Sequence, residues 1–367
     1  MRDIKPRLTP ELQAHCGDNP VWRADAFPVS SFRALVEHVA KLAYANRDEL
    51  LFFRGQDKDY QSKAGGTTLY PAIYRGDVVP TRELRHRFDL LDQAARLLVE
   101  KFKSASVEGH TELRQKKYIQ WSILQHYEVA ATPLLDLTHS LRVACSFAQL
   151  RSTDPTCCVY VLGLPYVTNR ITINSEHDVV TVRLLSICPP SALRPYFQEG
   201  YLAGTSDVTT EFDSKTNLDF RNRLVAKFAI PRARSTFWGS GFDQIPESAL
   251  YPRGDQILDL CTELKSQLKD ELQPGDLGTF IREWATLEEF LLDTARRLTE
   301  RNVSLREAAM QLARLEVLSS KQAQEIEAIR TFRNNLVHKP GAVEPEALRG
   351  WIERLRQTLK AIPQDAG

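Results

Sequence analysis

The sequence predicts an α+β domain followed by an all-α bundle. Three observations carry that prediction. Short apolar runs of strand composition alternate with helical spacing up to about residue 270, strand patterns stop beyond Gln273-Pro274-Gly275-Asp276, and apolar residues at helical intervals fill the remainder. A length of 367 residues suits two domains at roughly 100 to 200 residues each. The division expected is an extension at 1–29, a first domain at 30–270 and a second at 277–367.

Phe32, Leu35, Val36, Val39 and Leu42 recur on one helical face and lead into Leu50-Leu51-Phe52-Phe53, an apolar run bounded by polar residues like a buried strand. Arg54 stands at its mouth. Helical spacing returns from Thr81 to Phe102 and from Glu112 to Tyr127. Strands are expected from Cys157 to Leu164, Ile171 to Ile173, Val179 to Ile187 and Leu224 to Ile230, all rich in Val, Ile and Leu. Gly65-Gly66-Thr67-Thr68 reads as a flexible loop. A helix through Ile257, Leu260, Leu264 and Leu268 precedes the breaker at Pro274-Gly275. Beyond it, stripes from Phe280 to Leu298, Leu305 to Leu315, Ile326 to Leu336 and Leu348 to Leu359 predict a bundle of about four helices.

With 48 basic against 47 acidic side chains, no overall field draws the chain to nucleic acid or to an anionic membrane. A local basic stretch runs from Arg75 to Lys117, read first as a solvated helix face. The six cysteines form no C-x-x-C pair and no zinc spacing, so free thiols in a reducing cytoplasm and no metal are expected. The amino terminus lacks the apolar core of a secretion signal, and no run approaches the roughly 18 apolar residues that span a bilayer, so no membrane partner is expected. Phosphate-loop, dinucleotide-fingerprint and nucleophile-elbow motifs are absent from the sequence.

Phe53-Arg54-Gly55-Gln56, Tyr60, Leu69-Tyr70-Pro71-Ala72, Arg75, Leu124-Gln125-His126-Tyr127 and Leu134-Leu135-Asp136-Leu137-Thr138 occur in an informative order. Ala144-Cys145-Ser146-Phe147-Ala148, Arg194, Gln198, Gly200-Tyr201 and Leu250-Tyr251-Pro252 continue it. The ordered set resembles the FRG domain family over roughly residues 30–265. Glu128, Pro133 and Leu137 depart from the usual glycine, arginine and tryptophan.

Such domains are similar in layout to ADP-ribosyltransferases, which implies a split α+β pocket holding NAD as substrate. On that resemblance Arg54 clamps a phosphate through its planar fork, a task lysine performs less specifically. Thr138 and Ser140 orient the ribose and nicotinamide, Tyr127 stacks on the ring, and His126 binds a ribose hydroxyl. Gln198 joins this binding set, and Glu199 beside it supplies the carboxylate that stabilises positive charge as nicotinamide departs. Plainer readings compete: Arg54 paired with Asp136, His126 as a satisfied core histidine, and Gln198-Glu199 as loop hydrogen bonding.

Arg333-Asn334-Asn335-Leu336-Val337-His338 is similar to the motif of HEPN domains, helical bundles that cleave RNA without metal. Asn334 and His338 lie one helical turn apart. His338 would take the proton of a ribose 2′-hydroxyl, Arg333 would neutralise the phosphorane, and Asn334 would orient one of them. The family's composite site implies a homodimer through the bundle.

Together these resemblances imply a cytoplasmic toxin or antiviral-defence effector. Its first domain would transfer ADP-ribose to a macromolecule, protein or RNA, and its bundle would dimerise and engage RNA, with an antitoxin as a further partner. Two alternatives stay open: a HEPN ribonuclease effector whose FRG domain is a non-catalytic sensor, and a non-enzymatic interaction protein.

Overall fold

The computed structural model describes the chain except residues 64, 77–80, 151, 207–213, 234–236, 271–273, 300–302, 339–342, 344 and 363–367, and it leaves aside a few helical side chains, His338 among them. Two compact units form, Met1–Lys265 and Ser266–Gly367.

The first unit is built on an eight-stranded sheet. Its strands are β1 (Phe27–Pro28), β2 (Leu50–Gln56), β3 (Leu135–Thr138), β4 (Thr156–Leu164), β5 (Ile171–Asn174), β6 (Val179–Arg183), β7 (Gly200–Gly204) and β8 (Leu224–Pro231). Their spatial order is β1-β8-β4-β2-β3-β7-β6-β5, and every pairing is antiparallel except β1 with β8. β4 is an inner strand between β8 and β2, and all its residues after Thr156 are buried, which explains its unbroken apolar composition.

Alternation along β2 sends neighbouring side chains to opposite faces. Leu51 and Phe53 pack with Leu35 and Leu42 of the helix Phe32–Ala45 and with Ala144 and Ala148 of the helix Leu141–Leu150. Phe52 packs on the other side with Leu135, Leu137, Tyr160 and Leu162. Each such buried side chain contributes about 1.5–3 kcal/mol. The helix Phe32–Ala45 starts where Ser31 Oγ accepts the Ala34 amide at 3.2 Å.

Several details depart from the sequence reading. β3 and β7 were not expected as strands, since Asp136 in the one and the flanking Gly200 and Gly204 in the other break the Val/Ile pattern. The apolar run after Val179 turns at Leu184 into the short helix Leu184–Ile187. The helical run before Tyr127 is two helices, His110–Gln115 and Lys117–His126, broken at the extended Lys116. Residues 1–29 are no detached extension: Leu12 and Val29 enter the core, and β1 pairs with β8.

The Gly65–Thr68 segment is pinned rather than loose. Thr67 is buried, its hydroxyl donates to Asp59 at 2.8 Å, and Lys227 Nζ reaches both Asp59 and Thr67 at 2.7 Å. Tyr160 Oη donates to the same carboxylate at 2.9 Å. The Lys227 side chain is 1% exposed, so its charge has been taken out of water and depends on Asp59. Burial acts to raise the Asp59 pKa, but the donors from Lys227, Thr67 and Tyr160 hold it below the ordinary value.

The second unit contains, among the described residues, the helices Pro274–Thr299, Leu305–Arg314, Ser320–His338 and Pro345–Ala361. Phe280, Leu287, Leu291, Leu312, Ile329, Leu348 and Leu355 form its dry centre. Ser304 and Glu307 close a capping box on the second helix.

Two substitutions test this frame. A Cβ on Gly55 would lie 1.9 Å from the Ala144 carbonyl oxygen, so Gly55→Ala is expected to lower unfolding free energy in urea by about 3 kcal/mol. Asp59→Asn strands the Lys227 ammonium and should cost about 3–5 kcal/mol in the same measurement; an unchanged urea midpoint would show that the pair is not needed.

Candidate functional site

β2 and β3 share a single register pair, Phe53 with Thr138. β2 nevertheless continues through Arg54, Gly55 and Gln56, paired along its other edge with Tyr160, Val159 and Cys158 of β4. The sheet therefore parts after one pair, and a cleft of about 1000 Å³ opens at the split. One wall is β2 from Phe53 to Asp57 and the other is β3 from Leu135 to Thr138, with Gln125, His126, Gln198 and Tyr251 completing the inner surface.

Arg54 Nη1 crosses the split and donates to the Asp136 carbonyl at 2.7 Å. This bond serves one backbone acceptor at the parted edge. Burial pulls the Arg54 pKa down from its ordinary value, Asp136 opposes that, and Arg75 adds to the lowering.

The Asp136 carboxylate accepts Gln125 Nε2 at 2.7 Å, and Gln125 Oε1 accepts the Thr132 hydroxyl at 2.7 Å. His126 Nδ1 lies 3.7 Å from Asp136 Oδ1. Three buried atoms of cleft-lining residues lack a hydrogen-bond partner: Arg54 Nε, Gln56 Oε1 and His126 Nε2. Unsatisfied buried donors and acceptors that converge on a concavity are what a polar ligand would satisfy.

The FRG domain family model matches residues 49–156, which include both strands that flank the split and the helix Leu141–Leu150 behind them. The chain contains an FRG domain. No curated protein and no solved structure matches the chain.

Within the first unit the sequence-derived site residues separate into two groups. Arg54, His126, Thr138 and Gln198 all line the cleft. Thr138 is 5% exposed and its hydroxyl is already engaged, donating to the Gln198 carbonyl at 2.9 Å and accepting the Ser140 amide at 3.1 Å. Gln198 Nε2 donates to the Leu250 carbonyl at 2.8 Å. The Thr138 bond ties β3 to the segment before β7, and the Gln198 side chain ties that segment to Leu250.

Tyr127, Ser140 and Glu199 are not among the lining residues. The Tyr127 ring is buried, its hydroxyl donates to Asp255 at 2.8 Å, and the Arg194 guanidinium lies 5.2 Å from the ring centre, so it has no face to stack on a ligand. Ser140 Oγ accepts the Val143 amide at 3.4 Å at the start of the helix Leu141–Leu150. Glu199 is exposed with φ +44°, on the turn between Phe197 and β7. The carboxylates that do line the cleft are Asp57, Glu128 and Asp136.

Sequence reasoning passed over Gln125, Asp136, Lys215 and Arg221 as site residues. Gln125 and Asp136 stood inside quoted motifs, whereas Lys215 and Arg221 come from an unremarkable polar stretch that only folding brings to the cleft. Within the basic run from Arg75 to Lys117, four side chains are ion-paired: Arg87 with Glu83, Lys101 with Glu263, Lys116 with Glu112, and Lys117 with Asp92.

In the helical unit, Arg333 and Asn334 are half-buried, and Arg333 Nη1 donates to Asn334 Oδ1 at 3.1 Å. Leu336 is core, and Phe332 stacks on Trp351 with centroids 4.6 Å apart. The His338 side chain lies outside the described residues.

Burial acts to raise the Asp136 pKa, but His126, Arg54 and Gln125 together hold it below the ordinary 3.8. A carboxylate with a depressed folded pKa contributes stability that is full above its unfolded value, near 3.9, and is lost as pH falls through the folded value. Asp136→Asn should therefore flatten the loss of thermal stability below about pH 4, measured as Tm against pH; an unchanged acid limb would show that the network does not hold the carboxylate.

Proposed function

We propose that the FRG domain binds NAD in the split between β2 and β3 and transfers ADP-ribose from it to a macromolecule. On this reading the chain is a cytoplasmic toxin or antiviral-defence effector, and its helical unit is HEPN-like, dimerising and engaging RNA. The observation that carries the reading is the parted sheet, with Arg54, Gln56 and His126 each presenting an unsatisfied buried atom along a cleft of about 1000 Å³. That volume is ample for a dinucleotide, since ligand pockets run to roughly 1000 Å³.

In the reaction, the bond from the ribose C1 to the nicotinamide nitrogen breaks and its electron pair leaves with nicotinamide. Positive charge spreads over the ribose ring until a nucleophile of the acceptor bonds to C1 and gives up its proton. A fixed carboxylate lowers that barrier. Asp136, kept ionised beside Arg54 and His126, takes the part that the sequence resemblance gave to Glu199. His126 Nε2 accepts a ribose hydroxyl, and Arg54 Nε donates to the ligand from beneath.

A second reading makes the helical unit the effector ribonuclease and the FRG domain a sensor. The Arg333–Asn334 hydrogen bond on a half-buried helical surface favours it, because it aligns two of the three motif side chains. Its active form would be a homodimer, and an antitoxin would restrain either effector.

Nicotinamide release from NAD, followed by chromatography, separates the readings when paired with growth arrest on expression. Arg54→Ala is expected to lower turnover at least about 100-fold, the scale of losing one oriented charge-stabilising donor, and to relieve toxicity, while His338→Ala changes neither. Toxicity that vanishes only in His338→Ala would transfer the effector role to the helical unit. Arg54→Lys, which keeps the charge without the fork, guards against a folding artefact.

A further inference from the structure

Four glutamines line the cleft, and three of them have their amides committed. Gln125 Nε2 donates to the Asp136 carboxylate while its Oε1 accepts from Thr132, Gln198 Nε2 donates to the Leu250 carbonyl, and Gln61 Nε2 donates to the Asp59 carboxylate at 3.3 Å. Gln56 is the exception. Its Oε1 is buried without a partner, and its amide nitrogen takes part in no hydrogen bond among the described residues.

The backbone beneath Gln56 does not let that amide swing away. Gln56 ends β2 in register with Cys158, and the residue after it is tied down twice: the Asp57 carbonyl accepts the Ser152 hydroxyl at 3.2 Å, and the Asp57 carboxylate accepts the Tyr60 hydroxyl at 2.9 Å. A buried amide oxygen held on a strand that cannot fray forgoes a hydrogen bond, which an N–H donor entering the cleft supplies. A carboxamide carries an acceptor oxygen beside an N–H2 donor. Its full complement is another carboxamide, which gives and receives through the same two atoms.

The position along β2 says which part of a ligand lies there. Arg54 and Gln56 stand on one face of the strand, two residues and about 7 Å apart. Arg54 Nη1 is bonded to the carbonyl of Asp136, the residue that faces the ribose in the transfer reaction. One step along the strand from that point is the length of a nicotinamide ring with its carboxamide, whereas the adenine of the same dinucleotide lies beyond two phosphates and a second ribose.

We infer that Gln56 is the specificity-determining residue of the cleft, pairing with the carboxamide of nicotinamide and so selecting the amide form of the dinucleotide over the acid form. The inference rests on the NAD reading of the cleft and adds which end of the molecule lies against β2. Nicotinic acid has a carboxylate in place of the amide. It brings no N–H to Gln56 Oε1 and sets an acceptor oxygen against it, the mismatch by which a polar site rejects an analogue.

Calorimetric titration of the full chain, without an acceptor, tests the assignment with NAD, nicotinic acid adenine dinucleotide, nicotinamide hypoxanthine dinucleotide and ADP-ribose. The wild type is expected to bind NAD roughly tenfold or more tightly than the acid form, and the hypoxanthine form within twofold of NAD. Gln56→Met, unbranched and of similar length, should bring NAD down to the affinity of the acid form and leave ADP-ribose, which lacks the ring, within twofold of wild type. Amide and acid forms that bind the wild type alike overturn the assignment without recourse to the variant. So does a preference that survives in Gln56→Met, or discrimination against the hypoxanthine form alone, which would put adenine at this position.

Nicotinamide release tells the two proposals apart. NAD bound with the expected preference but never cleaved keeps the Gln56 assignment and removes the transferase. Amide and acid forms bound and cleaved alike keep the transferase and remove the assignment, and a chain that binds none of the four removes both.

Discussion

The bond from Arg54 Nη1 to the Asp136 carbonyl, thrown across two strands that have stopped pairing, is the contact on which the site depends. Ordinary strands this close would zip together and bury the space. Here β2 and β3 pair once and then diverge, and a parted edge leaves backbone groups that need other partners. The arginine supplies one donor without closing the gap. Behind it, Gly55 lets the helix Leu141–Leu150 approach so near that the Ala144 carbonyl occupies the place of a Cβ. β2 is thus clamped from the rear by the helix and along one edge by β4, and its free edge forms a rigid cleft wall.

Rigidity matters because the polar groups on that wall are expensive. Buried and unpartnered, Arg54 Nε, Gln56 Oε1 and His126 Nε2 each forgo hydration that a ligand would restore. Other polar side chains near the cleft are fully used. Thr138 joins β3 to the neighbouring loop, Gln198 ties that loop to Leu250, Gln125 and Thr132 hold the Asp136 carboxylate, and Tyr127 belongs to Asp255. Asp255 also accepts the amides of Leu193, Arg194, Ile257 and Leu258, so a single carboxylate fastens the segments around Tyr127. The motif residues therefore divide into those that build the frame and those left open within it.

The helical unit follows simpler rules. Four apolar stripes at helical spacing give four helices, and their buried faces make one core. Its polar motif lies on the third helix, where Leu336 points to the core and Arg333 and Asn334 meet at the half-buried surface.

The sequence by itself determined the order of an α/β region before a helical one, the long helices, the strands of continuous apolar residues such as β4, and the FRG match over residues 49–156, because periodicity and ordered motifs are local and survive without coordinates. It also picked out Arg54, His126, Thr138 and Gln198, which do meet at one cleft. Tertiary structure decided the rest. β3 (Leu-Asp-Leu-Thr) and β7 (Gly-Tyr-Leu-Ala-Gly) lack the Val and Ile that marked β4, β5, β6 and β8, and they are strands because their neighbours pair with them. Tyr127, Ser140 and Glu199 carry suggestive letters, yet hydrogen bonding and packing spend the first two elsewhere and the turn at Glu199 leaves it off the lining. Lys215 and Arg221 carry no motif, and Asp219 draws them to Tyr70 from about 150 residues away. Whether a polar side chain is free for a ligand depends on which long-range partners have already claimed it, and those partners exist only once the chain has folded.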